Sequence, residues 1–217
     1  MAEPARLYTP TEAAAISGLA LKAVNNAIDK HIVDVPRPKS TGGRIVRNYL
    51  TKSHLVCFRL EQGLVGSLPV ERRRIVFRYV MSKPAATSVE ADEVVTINVA
   101  KVRHEVEERE RSLAEAERLI HSDKDTLAGE PVFKGTRISV YGLVAMLDAG
   151  ATVDELVAGS SKLDAHKVDL ARLWVTAHPR RGRPKRLTDY GFTLKSTSRR
   201  SLPADPLAAK GDAALAD

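Results

Sequence analysis

The residues of this chain whose types and spacing suggest chemistry are mainly basic, and the chemistry they suggest is anion binding. The 217 residues include 34 Lys and Arg against 27 Asp and Glu, a formal net charge of +7. A positive balance favours anionic partners, of which nucleic acid is the commonest. Much of the excess lies between His178 and Arg200, where a dense run of Arg and Lys is opposed only by Asp189.

Patterns typical of catalysis or of metal binding are missing from the sequence. No two of the six histidines have the i,i+4 spacing of a helical zinc site, and the single cysteine, Cys57, is expected to be a buried, inert thiol. The carboxylates of Asp123, Asp125 and Glu130 suggest a divalent-ion site, although helix capping and solvation explain them more simply. We therefore expect no enzyme, no catalytic residue, no resident metal and no cofactor.

Composition narrows the class of protein. Hydrophobic residues make up 43% and charged residues 28%, as in ordinary globular proteins. No apolar run approaches the ~20 residues that span a bilayer, and the first residues lack the pattern of a secretory signal. With only one cysteine, the sequence predicts a cytoplasmic protein without a membrane partner.

The N-terminal segment has the pattern of a helix-turn-helix. Thr9 and Glu12 form a capping-box pattern for a helix over residues 11–17, which Gly18 ends. A second helix is predicted over residues 21–30 from the spacing of its apolar residues. Two short helices joined by a tight glycine turn are what this motif requires.

A β-wing and a third helix are predicted to follow. A glycine turn near residue 42 leads into a strand over residues 45–50, and Ser53 is the expected cap of the third helix. Residues opposite the apolar face of the second helix, or in the wing, are the predicted DNA contacts, with a merely solvated role as the alternative for each. They are Lys22, Asn25, Asn26, Lys30, Arg44 and Arg47.

This segment resembles the winged-helix DNA-binding domain of MerR-type regulators. The resemblance rests on the Thr-Pro-Thr-Glu-Ala-Ala opening from Thr9, on the turn 16–19, and on the wing ending 47–51. The family usually has arginine and tyrosine in the middle of the second helix, where this chain has Asn25 and Asn26. Asparagine is itself suited to reading adenine.

A long amphipathic helix is predicted from Val99 to about residue 120. Its apolar residues follow alternating three- and four-residue steps, with Arg109 in the one interrupted position, and Glu105 is spaced to pair with Arg109. The helix is either a short dimerising coiled coil or an amphipathic helix packed on its own domain.

Residues 119–178 predict a second three-helix unit of helix-turn-helix type. An apolar helix begins at Val140 and ends near Gly150, a capping box at 152–155 opens a short helix, and Asp164 caps a longer one.

This unit closely resembles the prokaryotic family known as domain of unknown function 433. The shared pattern is Gly-Glu-Pro-Val from Gly129, Lys-Gly-Thr-Arg-Ile-Ser-Val over 134–140, Leu147-x-x-Gly150, and Asp-Glu-Leu from Asp154. The resemblance implies a VapB-like antitoxin that binds operator DNA and a PIN-like ribonuclease toxin.

Two residues of the shared pattern have a physical interpretation. Gly135 permits a backbone conformation that other residues avoid. Arg137 either ties neighbouring carbonyls or carboxylates together, or contacts DNA or a partner.

The basic tail has three interpretations. Residues 180–186, Arg-Arg-Gly-Arg-Pro-Lys-Arg, resemble the AT-hook, in which Arg181 and Arg183 would enter a narrow minor groove. Alternatively the tail folds onto the acidic site of a nuclease, or it is merely solvated. The predicted partner-binding residues are Arg183, Lys185, Arg186, Tyr190, Phe192 and Leu194.

Together these patterns predict a mainly α protein with a few short strands. The predicted parts are a winged helix-turn-helix domain (6–82), a strand and linking helix (83–118), a helical domain (119–178) and an extended tail (179–217). We expect a homodimeric antitoxin of a type II toxin–antitoxin system that represses its own operon. The alternatives are a stand-alone MerR-like regulator with an AT-hook-like tail, and an interaction adaptor with vestigial helix-turn-helix folds.

Overall fold

The structure, a computed structural model, describes residues 6–36, 49–93 and 95–180, and these ranges are mainly helical. The eight α-helices in them are α1 Pro10–Ser17, α2 Leu21–Asp29, α3 Lys52–Gln62, α4 Val70–Ser82, α5 Val99–Leu119, α6 Val140–Asp148, α7 Val153–Ala158 and α8 Ala165–Ala177. Four short strands accompany them: β1 Ser88–Asp92, β2 Val95–Asn98, β3 Ile120–His121 and β4 Val132–Phe133.

Local capping residues set the ends of the first two helices. The Thr9 side chain accepts a hydrogen bond from the Glu12 amide, and the Glu12 carboxylate accepts one from the Thr9 amide at 2.7 Å. Gly18 ends α1 with a φ of +75°, a left-handed conformation that glycine adopts without strain. The predicted pair of helices and the turn between them are confirmed.

The third helix begins earlier than predicted, because Thr51 caps it instead of Ser53. The Thr51 backbone is extended, and its amide donates to Nδ1 of His54 at 2.9 Å. Histidine here takes the place of the glutamate of an ordinary capping box. Ser53 lies inside α3, so the prediction that it caps this helix is wrong.

The strands form two small antiparallel pairs. β1 pairs with β2, with Val89 opposite Ile97, and β3 pairs with β4, with Ile120 opposite Phe133. The β3–β4 pair joins the end of α5 to the start of α6.

The long helix α5 contributes to both apolar clusters of the fold. Its buried Val106 and Leu113 belong to a cluster with α1, α2, α3 and α4, whereas Ala116 belongs to a second cluster with α6 and α8. The apolar face of α5 is therefore buried against its own chain, which agrees with the packed-helix interpretation. The pairing expected between Glu105 and Arg109 is not formed, because Glu105 pairs with Arg59 at 3.0 Å.

Helix α8 connects the two clusters. It packs against α1, α5 and α6. Val168 lies in the second cluster, and Ala177 lies in the first. The described residues all fall in one compact unit. None of the helices in the described ranges combines the length and the apolar character needed to cross a membrane.

The buried imidazole of His54 predicts a pH-dependent stability. Burial lowers its pKa below the usual value, although the backbone carbonyl and the charge of Asp34 act in the opposite direction. The unfolded chain therefore takes up this proton first, starting near pH ~6.5, so the stability that His54 contributes is present above that pH and declines as pH falls. We expect the urea concentration at the unfolding midpoint to decrease when the pH is lowered from about 7.5 to about 5.5. The His54→Asn variant should show a smaller fall.

His104, which is 65% exposed on α5, supplies the control. His104→Asn should leave the wild-type pH dependence unchanged. An equal fall in wild type and in His54→Asn would contradict the assignment of this pH dependence to His54.

Candidate nucleic-acid interface

Four of the predicted DNA contacts share the exposed face of α2 and its C-terminal end. Lys22, Asn25, Asn26 and Lys30 are all exposed. The opposite face buries Val24, Ala27 and Ile28 in the core. The helix therefore presents two cations and two amides to solvent while its apolar residues fix it to the protein.

Two arginines hold the end of α1 and so fix the turn from which α2 begins. Arg59 of α3 donates from Nη1 to the Ser17 carbonyl at 3.3 Å, and Arg109 of α5 donates from Nη2 to the Ala15 carbonyl at 2.8 Å. The last carbonyls of a helix lack partners within it and carry partial negative charge. Guanidinium groups at this end satisfy them.

The C-terminal end of α2 is held by α4. Arg74 donates to the Lys30 carbonyl at 3.0 Å and to the His31 carbonyl at 3.1 Å, and it pairs with Glu71 at 2.7 Å. His31 has a φ of +52°, an uncommon conformation for a non-glycine residue, at the point where the chain leaves the helix.

Helix α4 adds positive charge that the sequence pattern did not indicate. Arg78 is exposed, lines the same hollow as His31 and Arg74, and forms no ion pair with any residue that the structure describes. The run of three arginines at 72–74 is visible in the sequence, but the sequence does not show that Arg74 contacts the chain at the end of α2. Arg73, by contrast, is paired with Glu61 inside the protein.

The predicted wing contacts Arg44 and Arg47 lie outside the described residues. The described residue Leu50, at the end of the predicted wing strand, pairs with Tyr8 through two backbone hydrogen bonds of 2.9 Å. The chain therefore returns beside the start of α1 before α3 begins.

The predicted tail contacts also lie outside the described residues. They are Arg181, Arg183, Lys185, Arg186, Tyr190, Phe192 and Leu194.

The start of the predicted tail is anchored at Arg180. This guanidinium pairs with the buried carboxylate of Glu130 and lies 4.8 Å from the ring centroid of Tyr141. The Tyr141 hydroxyl donates to the His178 carbonyl at 2.7 Å, and burial raises the pKa of that phenol. Trp174 stacks on His178 with ring centroids 4.6 Å apart. We call Glu130, Tyr141, Trp174, His178 and Arg180 the C-terminal clasp.

The clasp corrects the interpretation of the acidic loop. Glu130 is not free to bind an ion with Asp123 and Asp125, because it pairs with Arg180 and accepts a hydrogen bond from Ser139 at 3.1 Å. Asp123 instead accepts a hydrogen bond from the Asp125 amide at 3.2 Å. Within the described ranges, no cluster of His, Cys, Asp and Glu is arranged to hold a metal ion.

The loop of the Gly-Thr-Arg-Ile pattern places its arginine in solvent. Gly135 has a φ of +72°, as its residue type suggested, and its carbonyl accepts from Lys162 at 2.9 Å. Arg137 is exposed and forms no hydrogen bond within the described part of the chain. The prediction that Arg137 ties neighbouring carbonyls or carboxylates together is therefore wrong for the described residues, and its contact with DNA or a partner stays a prediction.

Comparisons with known proteins agree with the family assignment of this loop. Residues 120–172 match the family described as "Protein of unknown function (DUF433)". The chain is 30% identical over 191 residues to the uncharacterized protein y4eO of Sinorhizobium fredii (strain NBRC 101917 / NGR234), and the match covers 82% of this chain and 85% of that protein. No solved structure matches the chain significantly.

Replacing Glu130 tests the clasp. Glu130→Gln keeps the shape of the side chain but removes its charge, so Arg180 loses its buried partner. We expect a loss of about 1–3 kcal/mol in the free energy of unfolding, less than for a fully buried pair because the Arg180 side chain is 32% exposed. Trp174 is the chain's single tryptophan, so its emission reports on the clasp directly and should shift to longer wavelength.

The exposed Asp125 of the same loop provides the control. Asp125→Asn should change neither the stability nor the emission. If Glu130→Gln had the same free energy of unfolding and the same tryptophan emission as the wild type, the ion pair would not hold the clasp.

Proposed function

The chain belongs to the same family as y4eO of Sinorhizobium fredii, and we propose that it is a DNA-binding regulator acting as the antitoxin of a type II toxin–antitoxin system. In this proposal the N-terminal helices form a winged helix-turn-helix domain similar to that of MerR-type regulators. The protein binds operator DNA as a homodimer in the cytoplasm and represses its own operon. Its C-terminal region neutralises a PIN-like ribonuclease toxin.

The exposed face of α2 is the observation that carries the proposal. A recognition helix needs one face fixed to the protein and the other free to enter the major groove. The buried residues of α2 supply the first face, and Lys22, Asn25, Asn26 and Lys30 lie on the solvent side. Lysine suits phosphate or guanine contacts, and asparagine suits adenine.

The N-terminal end of α2 supports the same role. Its cap residue, Ala20, provides no side-chain acceptor for the first amides of the helix. Backbone amides at a helix start attract phosphate, since they combine free donors with the positive end of the helix dipole. In a complex, these amides and Lys22 would bind the DNA backbone and position Asn25 and Asn26 over the bases.

The antitoxin role is supported by the family match and by the exposed basic residues of its loop. The match over residues 120–172 covers the Lys-Gly-Thr-Arg-Ile pattern whose resemblance implies a toxin partner. Lys134 and Arg137 in this loop are exposed. Exposed cations are suited to pairing with the carboxylates of a nuclease site, and the basic residues from Arg183 to Arg186 extend that potential.

DNA binding predicts a defined response to salt and to substitution on α2. Affinity for DNA from upstream of the protein's own gene should fall about 10³-fold between roughly 50 and 200 mM salt. Lys22→Ala should weaken binding and reduce the salt slope by about 0.9. Asn25→Ala should instead reduce discrimination between operator and unrelated DNA, by about 1–3 kcal/mol. Fluorescence anisotropy of labelled duplexes measures all three quantities.

Lys101→Ala is the matched control for charge. Lys101 is exposed on α5 and forms no ion pair within the described ranges, so its removal should leave both affinity and salt slope near wild type. If Lys22→Ala and Lys101→Ala behaved identically, α2 would not be the recognition helix. Binding that does not weaken with salt would favour the adaptor alternative.

Truncation of the tail separates an antitoxin from a stand-alone regulator. Removal of residues 187–217 should abolish rescue of growth when the nuclease encoded beside this gene is co-expressed, because the anchors Tyr190, Phe192 and Leu194 are lost. DNA binding should persist. The shorter deletion of residues 204–217 keeps those anchors and should retain rescue.

The second candidate is a stand-alone MerR-like regulator with an AT-hook-like tail. The packing of α8 directly on α1 favours it, since the family segment then helps to hold the DNA-binding helices rather than only a toxin. In that case the neighbouring gene product would be harmless when expressed alone, and removal of 187–217 would change little, because the AT-hook-like residues 180–186 would remain.

A further inference from the structure

A groove lies beneath the turn that joins α1 to α2. Its volume is about 620 Å³. The turn residues Gly18, Leu19 and Ala20 line one side, and side chains of α5 and α8 line the other. This volume falls within the ~300–1,000 Å³ of pockets that hold small organic ligands.

Arg109 lines this groove without a carboxylate partner among the described residues. Its expected partner, Glu105, is bound to Arg59 at 3.0 Å. Arg109 donates from Nη2 to the Ala15 carbonyl, but its Nε is buried and has no hydrogen-bond partner within the described ranges. Burial, together with the nearby charge of Arg59, lowers the pKa of this guanidinium.

An arginine in this state is suited to binding an anion. Buried donors are nearly always satisfied, and buried cations are nearly always paired. Arg109 therefore places at the wall of the groove a positive charge that no carboxylate of the described residues compensates, and its unpartnered Nε shows that the protein around it does not satisfy the guanidinium.

The rest of the lining adds positive charge and apolar surface. Arg172 of α8 is exposed at the groove and forms no ion pair with a residue that the structure describes. Of the described residues along the groove, Asp169 is the one acidic side chain. Leu19, Leu170 and Leu173 give the lining an apolar part.

We propose that this groove binds a small organic carboxylate with an apolar body. Arg109 and Arg172 receive the carboxylate, and the body lies against Leu19 and Leu173. The proposal does not rest on the proposed function, because the groove and the unpaired arginine exist whether or not the protein binds DNA or a toxin.

Calorimetric titration of the full chain near neutral pH tests the proposal. The probes are phenylacetate and hexanoate, with phenylacetamide as the uncharged analogue. We expect saturable binding of a carboxylate, no saturable binding of the amide, and about a tenfold or greater weakening in Arg109→Gln. Arg103→Gln is the matched control, because Arg103 lies on the same helix, is similarly half-buried and likewise donates to one carbonyl, that of Ala86, away from this groove.

Arg172→Gln keeps the proposal testable if Arg109→Gln fails to fold. Arg172 is exposed, so its replacement should leave the fold intact while weakening carboxylate binding. No saturable binding of either carboxylate by the wild type would overturn the proposal. So would equal binding of acid and amide, or wild-type affinity in Arg172→Gln.

Discussion

The packing of α8 against α1 and α5 is the constraint on which the arrangement of the described residues depends. Helix α8 places Val168 in one apolar cluster and Ala177 in the other, and α5 spans the same two clusters with Leu113 and Ala116. Helix α1, which carries the turn into α2, therefore lies on a surface formed in part by the DUF433 segment. A change that loosens α8 should disturb the presentation of α2, because interiors packed at this density transmit small displacements. The family segment is thus a structural support of the candidate interface.

Local features of the fold were predictable from the sequence, and long-range pairings were not. The capping boxes at Thr9 and Thr152 were recognisable because both partners lie three residues apart. The pairing of Glu105 with Arg59 joins residues 46 apart, and that of Glu130 with Arg180 joins residues 50 apart. A carboxylate can pair with any cation that the tertiary fold brings near it, including cations far away in the sequence. Spacing along one helix therefore assigned Glu105 to the wrong arginine.

The candidate interface also has a part that was predictable from the sequence and a part that was not. The exposed residues of α2 followed from its helical period, since residues opposite Val24 and Ala27 must face away from the core. The contribution of α4 did not, because Arg74 reaches the Lys30 carbonyl across 44 residues of sequence. Arg109 is the instructive case. Its position in the apolar stripe of α5 was visible in the sequence. That no carboxylate of the described residues pairs with it became visible only in the structure, where Glu105 pairs with Arg59. That unpaired charge lies beside the turn that orients α2.

Lysine acetylation footprinting of the full chain, free and bound to DNA from upstream of its own gene, tests the central claim most directly. Mass spectrometry reports the modification of each lysine separately. Lys22 and Lys30 are exposed and should be acetylated in the free protein and protected in the complex. Lys101, exposed on α5, should be modified equally in both. Saturating DNA that leaves Lys22 and Lys30 as reactive as in the free protein would contradict the account, because α2 would then not be the helix that meets DNA.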